Sequence, residues 1–423
     1  MDKKTRKAVL YGLFGLFFVL GAGAILYAQG YRFDLGTFGV QKVGAIYIRT
    51  YPKNASVLVD GKAVDRGAMI LSSGTLVPDL FPKPHEVTVE SAGFITWKRS
   101  VSVNPSLVAE VQAILLPEKP ELVRGIVPLE FWALPDTPLV EFLPGLNYSG
   151  YKIPGSFSEF NSDKTQVLTR DASKNYYVTN LSSATTTMKS QKLTNITGGK
   201  ISFDKTPGQF ISYNKTTAAL LTLGGVPAPV FTAPKGQTII GADASKNLLA
   251  LVTVNNQNQS LFWLYEKLSG NIKKFDPLQG RTVDLKFSPN GQVALLQDNG
   301  DLYLYDPSSA NISKTSSDVK SFSFSENGTL AILSDRILEI YADGVYSRLN
   351  LAFLPDIKNT FWYSDGEHLF LQFSDHLGLL DLIDFQPENV QFINNSTKNS
   401  YDQISNTLYF EKDAGLYRII FLS

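Results

Sequence analysis

Apolar residues run without a charge from Ala8 to Ala28, and after them the chain breaks into short stretches in which apolar and polar positions alternate. The first pattern predicts a single helix. About 20 such residues reach across the hydrocarbon core of a bilayer, and Tyr11 and Tyr27 sit near the two ends, where amphipathic rings favour the interface. The second pattern has the two-residue period of strands with one buried face, so the body is expected to be mainly β.

From Gly44 the alternation is regular. Ala45-Ile46-Tyr47-Ile48 reads as a strand, the stretch Tyr51-Pro52-Lys53-Asn54-Ala55 as a turn, and Ser56-Val57-Leu58-Val59 as a second strand. Asp60-Gly61 supplies a hairpin turn, because glycine tolerates the positive φ such turns need. His85-Glu86-Val87-Thr88-Val89-Glu90 alternates as a half-buried strand, Gly93 to Trp97 and Ser100 to Val103 continue the module, and Val108 to Leu116 closes it. In its order of landmarks this segment resembles the PEGA domain: Pro52 with Ala55, Val57-Leu58-Val59-Asp60-Gly61, Leu80, His85 to Val89, and Gly93-Phe94 with Trp97. Lys53-Asn54 replace the inner Glu-Gly of the motif, and Lys83-Pro84 replace its later Pro-Gly. The resemblance implies a small β-sandwich of the kind carried by microbial surface proteins.

After a charged, proline-containing hinge at Glu118-Lys119-Pro120-Glu121, one pattern recurs: an aromatic, a turn rich in Ser, Asp, Asn and Gly, then an apolar strand. Its seeds are Phe160 to Lys164, Phe203 to Gly208, Asp243 to Asn247, Phe287 to Gly291, Phe324 to Gly328, Tyr363 to Gly366, and Ser405-Asn406. A period of roughly 40 residues is that of propeller blades. The seven seeds predict about seven blades. Phe287-Ser288-Pro289-Asn290-Gly291 and its variants resemble WD-type and related bacterial propellers, without the Trp-Asp or Gly-His pairs of the WD family proper. Because only two strands follow the last seed, a strand from the region Gly125 to Tyr148 is expected to complete the final blade, since closure removes unpaired edges. The alternative arrangement is a row of sandwiches or a β-solenoid. The expected organisation is a basic tip and transmembrane helix (1–30), a connector (31–43), a PEGA-like β-sandwich (44–117), a linker (118–124) and a C-terminal β-propeller (125–423).

Charge bears on the address. The chain of 423 residues has no net charge, but Lys3, Lys4, Arg6 and Lys7 precede the apolar run against Asp2 alone. Basic residues before a span predict a cytoplasmic N-terminus, which places everything after Gln29 outside the cytoplasm. The competing reading is a cleaved signal peptide, with Ala22-Gly23-Ala24 as the small-residue site. The remaining body is mildly acidic, which argues against a nucleic-acid partner. There is no cysteine, which excludes thiolate metal sites, disulfides and cysteine nucleophiles.

The chemistry is sparse. The three histidines are His85, at the start of a strand, and His368 and His376, eight residues apart with Asp365, Glu367 and Asp375 nearby. No zinc-ligand spacing joins them. Asp298, Gly300 and Asp301 have the beginning of a calcium loop without its ligand ladder, and they read as a hairpin turn. Asp204, Asp243, Asp306 and Asp381 recur where blades turn, where such acids cap backbone amides. Neither a nucleophile elbow nor a phosphate loop occurs. Asn54, Asn147, Asn195, Asn214 and Asn327 head Asn-x-Ser/Thr triplets. Trp132, Trp263 and Trp362 are candidates for a binding surface, with burial the expected fate. No catalytic residue, metal or cofactor is expected. The reading is a single-pass plasma-membrane protein, held in the lipid bilayer through residues 8–28, whose extracytoplasmic propeller binds an envelope protein or cell-wall polysaccharide. The alternative is an envelope hydrolase or lyase with its site in the propeller funnel.

Overall fold

The computed structural model describes residues 3–34, 36, 38–64, 74–142, 145–181, 188–194, 196, 199–342, 345–352, 354–383 and 390–421. Two compact units divide at Pro120 and Glu121.

In the first unit, the helix Lys3–Ala28 carries a stretch, Val9–Ala28, long and apolar enough to cross a membrane, none of it buried against protein. Gly30, with φ of 84°, ends the helix in the left-handed conformation that glycine accepts without strain. A two-stranded hairpin follows, Tyr31–Asp34 against Gly39–Lys42. The sandwich has two sheets. In one, Gly44–Tyr51 lies between Gly74–Leu80, antiparallel, and Val108–Ile114, parallel. In the other, the order is Lys62–Ala63, Ser56–Val59, Pro84–Glu90 and Trp97–Ser102. Every second residue of Gly44–Tyr51 is buried, and Ile46, Ile48, Val57, Val59, Val87, Val89, Trp97 and Val111 fill the space between the sheets. Asp60 and Gly61 form the expected hairpin turn, both at positive φ. Gly44 is required by close approach: a Cβ there would meet the carbonyl oxygens of Asn104 and Leu107.

The second unit is a β-propeller. Among the described residues it contains eight four-stranded sheets, which we number from the N-terminal side: blade 1 (130–153), blade 2 (156–192), blade 3 (200–232), blade 4 (238–274), blade 5 (282–316), blade 6 (321–350), blade 7 (357–394) and blade 8 (399–420 with Glu121–Arg124). Within blades 1 to 7 the strands pair antiparallel in chain order, and in blade 8 Glu121–Arg124 takes the outer place after Gly415–Ile420. First strands of neighbouring blades meet, as Thr238–Ala244 with Thr282–Phe287 and Glu130–Trp132 with Asn399–Asp402, so the first strands surround the axis. The seams between blades are apolar. Leu168, Val178, Ile201 and Phe210 fill one, Phe262, Phe275 and Tyr305 another, and Tyr363 and Tyr401 stack at 5.7 Å across blades 7 and 8. Phe131 and Val140 of blade 1 pack on Tyr409 and Leu416 of blade 8, which closes the ring and excludes a solenoid.

Two expectations need correction. Among the described residues there are eight sheets rather than about seven, because blade 1 turns through Leu134-Pro135-Asp136-Thr137-Pro138, which has none of the Ser, Asn and Gly residues that signal the turns of the other seven. The closing strand is Glu121–Arg124, within the expected linker, and not a segment of 125–148. It pairs with Gly415–Ile420 and is pinned by Arg418, whose guanidinium donates to both carboxylate oxygens of Glu121 at 2.9 and 2.8 Å.

Candidate functional site

Each first strand of the propeller ends in a turn at the same face of the ring, and the polar groups gather there. At the penultimate pairing position of successive first strands stand Phe131, Glu159, Ser202, Asp243, Lys286, Ser323, Phe361 and Tyr401. Five polar residues in consecutive blades are thus followed by aromatic ones.

The acids of this belt tie one blade to the next. The Phe203 N–H donates to the Glu159 carboxylate, and the Phe287 N–H donates to Asp243 Oδ2 at 2.8 Å, while Asp243 Oδ1 takes the N–H of Ala244. Burial pushes Glu159 up to about 7, helped by the negative charge of Asp243 and opposed by the Phe203 N–H and by Lys205. Burial likewise raises Asp243, against the Phe287 N–H and Lys205. Similar ties run on around the ring. Trp362 Nε1 donates to Ser323 O at 3.1 Å, the Ser364 N–H to the Tyr401 hydroxyl at 3.1 Å, and the Ala133 N–H to Ser400 Oγ at 2.8 Å.

Two lysines act as cross-blade clamps at the same face. Lys267 Nζ donates to both carboxylate oxygens of fully buried Asp204 at 2.7 Å and to Ser245 O at 2.6 Å. Lys164 of blade 2 reaches past blade 1 to Asp402 of blade 8, at 2.7 Å, and to Ala133 O at 3.3 Å. Between the turns of blades 5 and 6 lies a cleft of about 290 Å³ lined by Asn290, Gln292, Asp306, Asn327, Thr329 and Tyr341. Its rim is held by Asn290 Nδ2 donating to Asn327 O at 3.0 Å.

The residues singled out in the sequence fall mostly into turns and core. His85 is buried between Asp60 Oδ2, 2.7 Å from Nδ1, and Phe81 O, 2.9 Å from Nε2, so it braces the Asp60-Gly61 hairpin. His368 and His376 lie at opposite ends of the hairpin that begins with the strand His368–Phe373; one bonds Asp365 at 2.8 Å, the other Asp375 at 2.6 Å. Burial works to raise Asp365, but the hydrogen bond and charge of His368 hold it below its ordinary value. No group of three or more potential metal ligands occurs among the described residues. Asp204, Asp306 and Asp381 each accept an N–H two residues on, as turn caps do. Asp298 takes the Arg281 N–H and Asp301 pairs with Lys314. Trp263 and Trp362 are buried, and Trp132 stacks on Phe157 at 4.3 Å. Asn214 and Asn327 cap their own turns, and Asn195 lies outside the described residues. Asp243 also accepts backbone N–H groups, as expected of an acid where a blade turns, but one of them comes from the next blade; the belt acid Glu159 and the clamp Lys267 carry no motif. The one available signal was position, an acid immediately before the end of a first strand.

Residues 43–119 match the PEGA domain family. No curated protein matches the chain. Among solved structures, the chain is similar to the β-propeller domain of Cps50 (Swd1) from Myceliophteria thermophila, at 12% identity and a TM-score of 0.42, covering 65% of this chain and 99% of that one. It is also similar to an oligogalacturonate lyase from Vibrio parahaemolyticus, at 11% identity and a TM-score of 0.45, covering 63% and 90%. The ring described above rests on its own strand pairing, and neither likeness bears on what it binds.

Proposed function

We propose that the chain is a single-pass anchored protein of the cell envelope, with residues 8–28 in the plasma membrane, the N-terminus cytoplasmic, and the PEGA domain and propeller outside. The turn face of the propeller then docks a partner protein. The observation that carries this is the helix: Val9–Ala28 is apolar throughout and buries nothing against protein, and exposing such a surface to water is strongly unfavourable. Lys3, Lys4, Arg6 and Lys7 ahead of it supply the orientation. The turn face suits a broad partner. Its cleft of about 290 Å³ falls at the lower limit of pockets that enfold a small ligand, roughly 300–1,000 Å³.

A chain without cysteine allows single cysteines to be placed at will. A photo-crosslinker at Ser308 or Lys246, both exposed at the turn face, should capture a reproducible envelope protein from intact cells. Capture of glycan fragments instead would assign the face to polysaccharide. Resistance of the propeller to protease added outside spheroplasts, with digestion only after lysis, would overturn the orientation. A hydrolase or lyase is the second reading, favoured by the placing of two acids at this face, Glu159, which burial pushes up to about 7, and Asp243, whose charge adds to that push. Against it, both Asp243 oxygens already hold backbone N–H groups.

A further inference from the structure

We infer that the strand pair Tyr31–Asp34 and Gly39–Lys42, with Phe38 beside it, is a second membrane contact, lying in the headgroup layer of the leaflet from which the helix emerges, with the outer-surface phospholipid as its partner. The inference rests on the reading that Val9–Ala28 spans the bilayer. The hairpin starts three residues after the helix ends. The interfacial zone on each side of the hydrocarbon core is roughly 5–7 Å deep, so the hairpin begins inside it.

Its position is fixed rather than tethered. Arg32 Nη1 donates to Tyr27 O at 2.8 Å, and its guanidinium lies 3.7 Å over the Tyr27 ring and 2.8 Å from Asp79 of the sandwich. The Val43 N–H donates to Gly30 O at 2.9 Å. Helix end, hairpin and sandwich are therefore held together at one point.

The hairpin is amphipathic. Phe33 and Val40 are cross-strand partners, so they share one face, and both are 57% exposed. Phe38, at the turn, is 81% exposed. Arg32 and Gln41 pair on the other face and are half-buried. A sandwich loop bonded just after the hairpin adds apolar residues: Leu107 and Val108 are exposed, and their loop bonds the backbone of Val43 and Ala45. An isolated two-stranded hairpin is only marginally stable in water. Aromatic and apolar residues beside a span are stabilised in the interface, where the backbone polar groups stay hydrated.

The test uses the full chain in vesicles of phosphatidylethanolamine and phosphatidylglycerol, with one spin label per variant at Phe17→Cys, Phe33→Cys, Phe38→Cys, Val40→Cys or Asn54→Cys. Asn54 is exposed at the far end of Gly44–Tyr51, about 25 Å away at strand rise. Accessibility to oxygen and to a water-soluble nickel chelate gives depth. Labels at 33, 38 and 40 should show several-fold lower nickel accessibility than the label at 54 and lie shallower than the label at 17. If the label at 17 is in lipid but those at 33, 38 and 40 match 54, the hairpin stands in water and this inference is overturned while the anchor survives. If the label at 17 also matches 54, the spanning reading itself falls.

Discussion

The side chain of Glu159 ends on the backbone of the next blade in a site that disfavours its charge, and Glu159→Gln isolates the effect. The substitution keeps the oxygen that accepts the Phe203 N–H and removes the ionisation. Raising a glutamate from its ordinary 4.5 to about 7 corresponds to roughly 3 kcal/mol, at about 1.4 kcal/mol for each tenfold change in proton affinity. A carboxyl whose folded pKa is raised contributes its stability in full below the unfolded value, and loses it as pH rises through the folded one. The window is therefore pH 4.5 to about 7. At pH 4.5 and below, the parent and Glu159→Gln should unfold alike. At pH 8 the substituted chain should be more stable by about 2–3 kcal/mol, or a few degrees in midpoint for a unit of this size. The assay is thermal unfolding of the full chain in detergent across that range, followed by near-ultraviolet circular dichroism, which reports the aromatic seams. A variant that is less stable than the parent at pH 8, or a difference that does not change between pH 4.5 and 8, would refute the reasoning. The first result would mean that the seam favours the ionised carboxylate, the second that it leaves the pKa where the unfolded chain has it.

Four further outcomes are expected. Lys267→Ala leaves the buried Asp204 carboxylate without its cation and should destabilise the propeller by about 3–5 kcal/mol; the double substitution with Asp204→Ala should recover part of this, as chemical denaturation would show. Gly44→Ala places a methyl 2.8 Å from Leu107 O and should cost about 2 kcal/mol, detected as faster proteolysis confined to residues 43–119. At Asp60, burial works to raise the pKa but the His85 and Glu86 hydrogen bonds hold it below 3.8. Its contribution is present above 3.8 and lost as pH falls through the folded value, so the Asp60→Asn variant should show a shallower acid transition of the PEGA domain. Deleting residues 121–124 bares the edge of Gly415–Ile420, and the resulting open ring should self-associate with rising concentration in light scattering.

The amino-acid sequence alone determined what depends on nearest neighbours along the chain. Uninterrupted apolarity marked the helix, two-residue alternation and Asp60-Gly61 gave the sandwich with its family landmarks, and seven aromatic-plus-turn seeds announced the propeller, because strand period and turn chemistry are local. Blade 1 was illegible for the same reason: Leu134-Pro135-Asp136-Thr137-Pro138 makes the same turn with different residues. The closing strand was illegible too. Glu121–Arg124 looks like linker until Gly415–Ile420, some 300 positions later, offers it an edge, and nothing local records a partner that distant. The site followed this division. Turn-capping aspartates could be read in place, but the meaning of Glu159, Asp243, Lys164 and Lys267 comes from which blade stands beside them, and burial between blades, not residue type, raises the two acids. Only the closing of the ring brings those side chains within reach of one another.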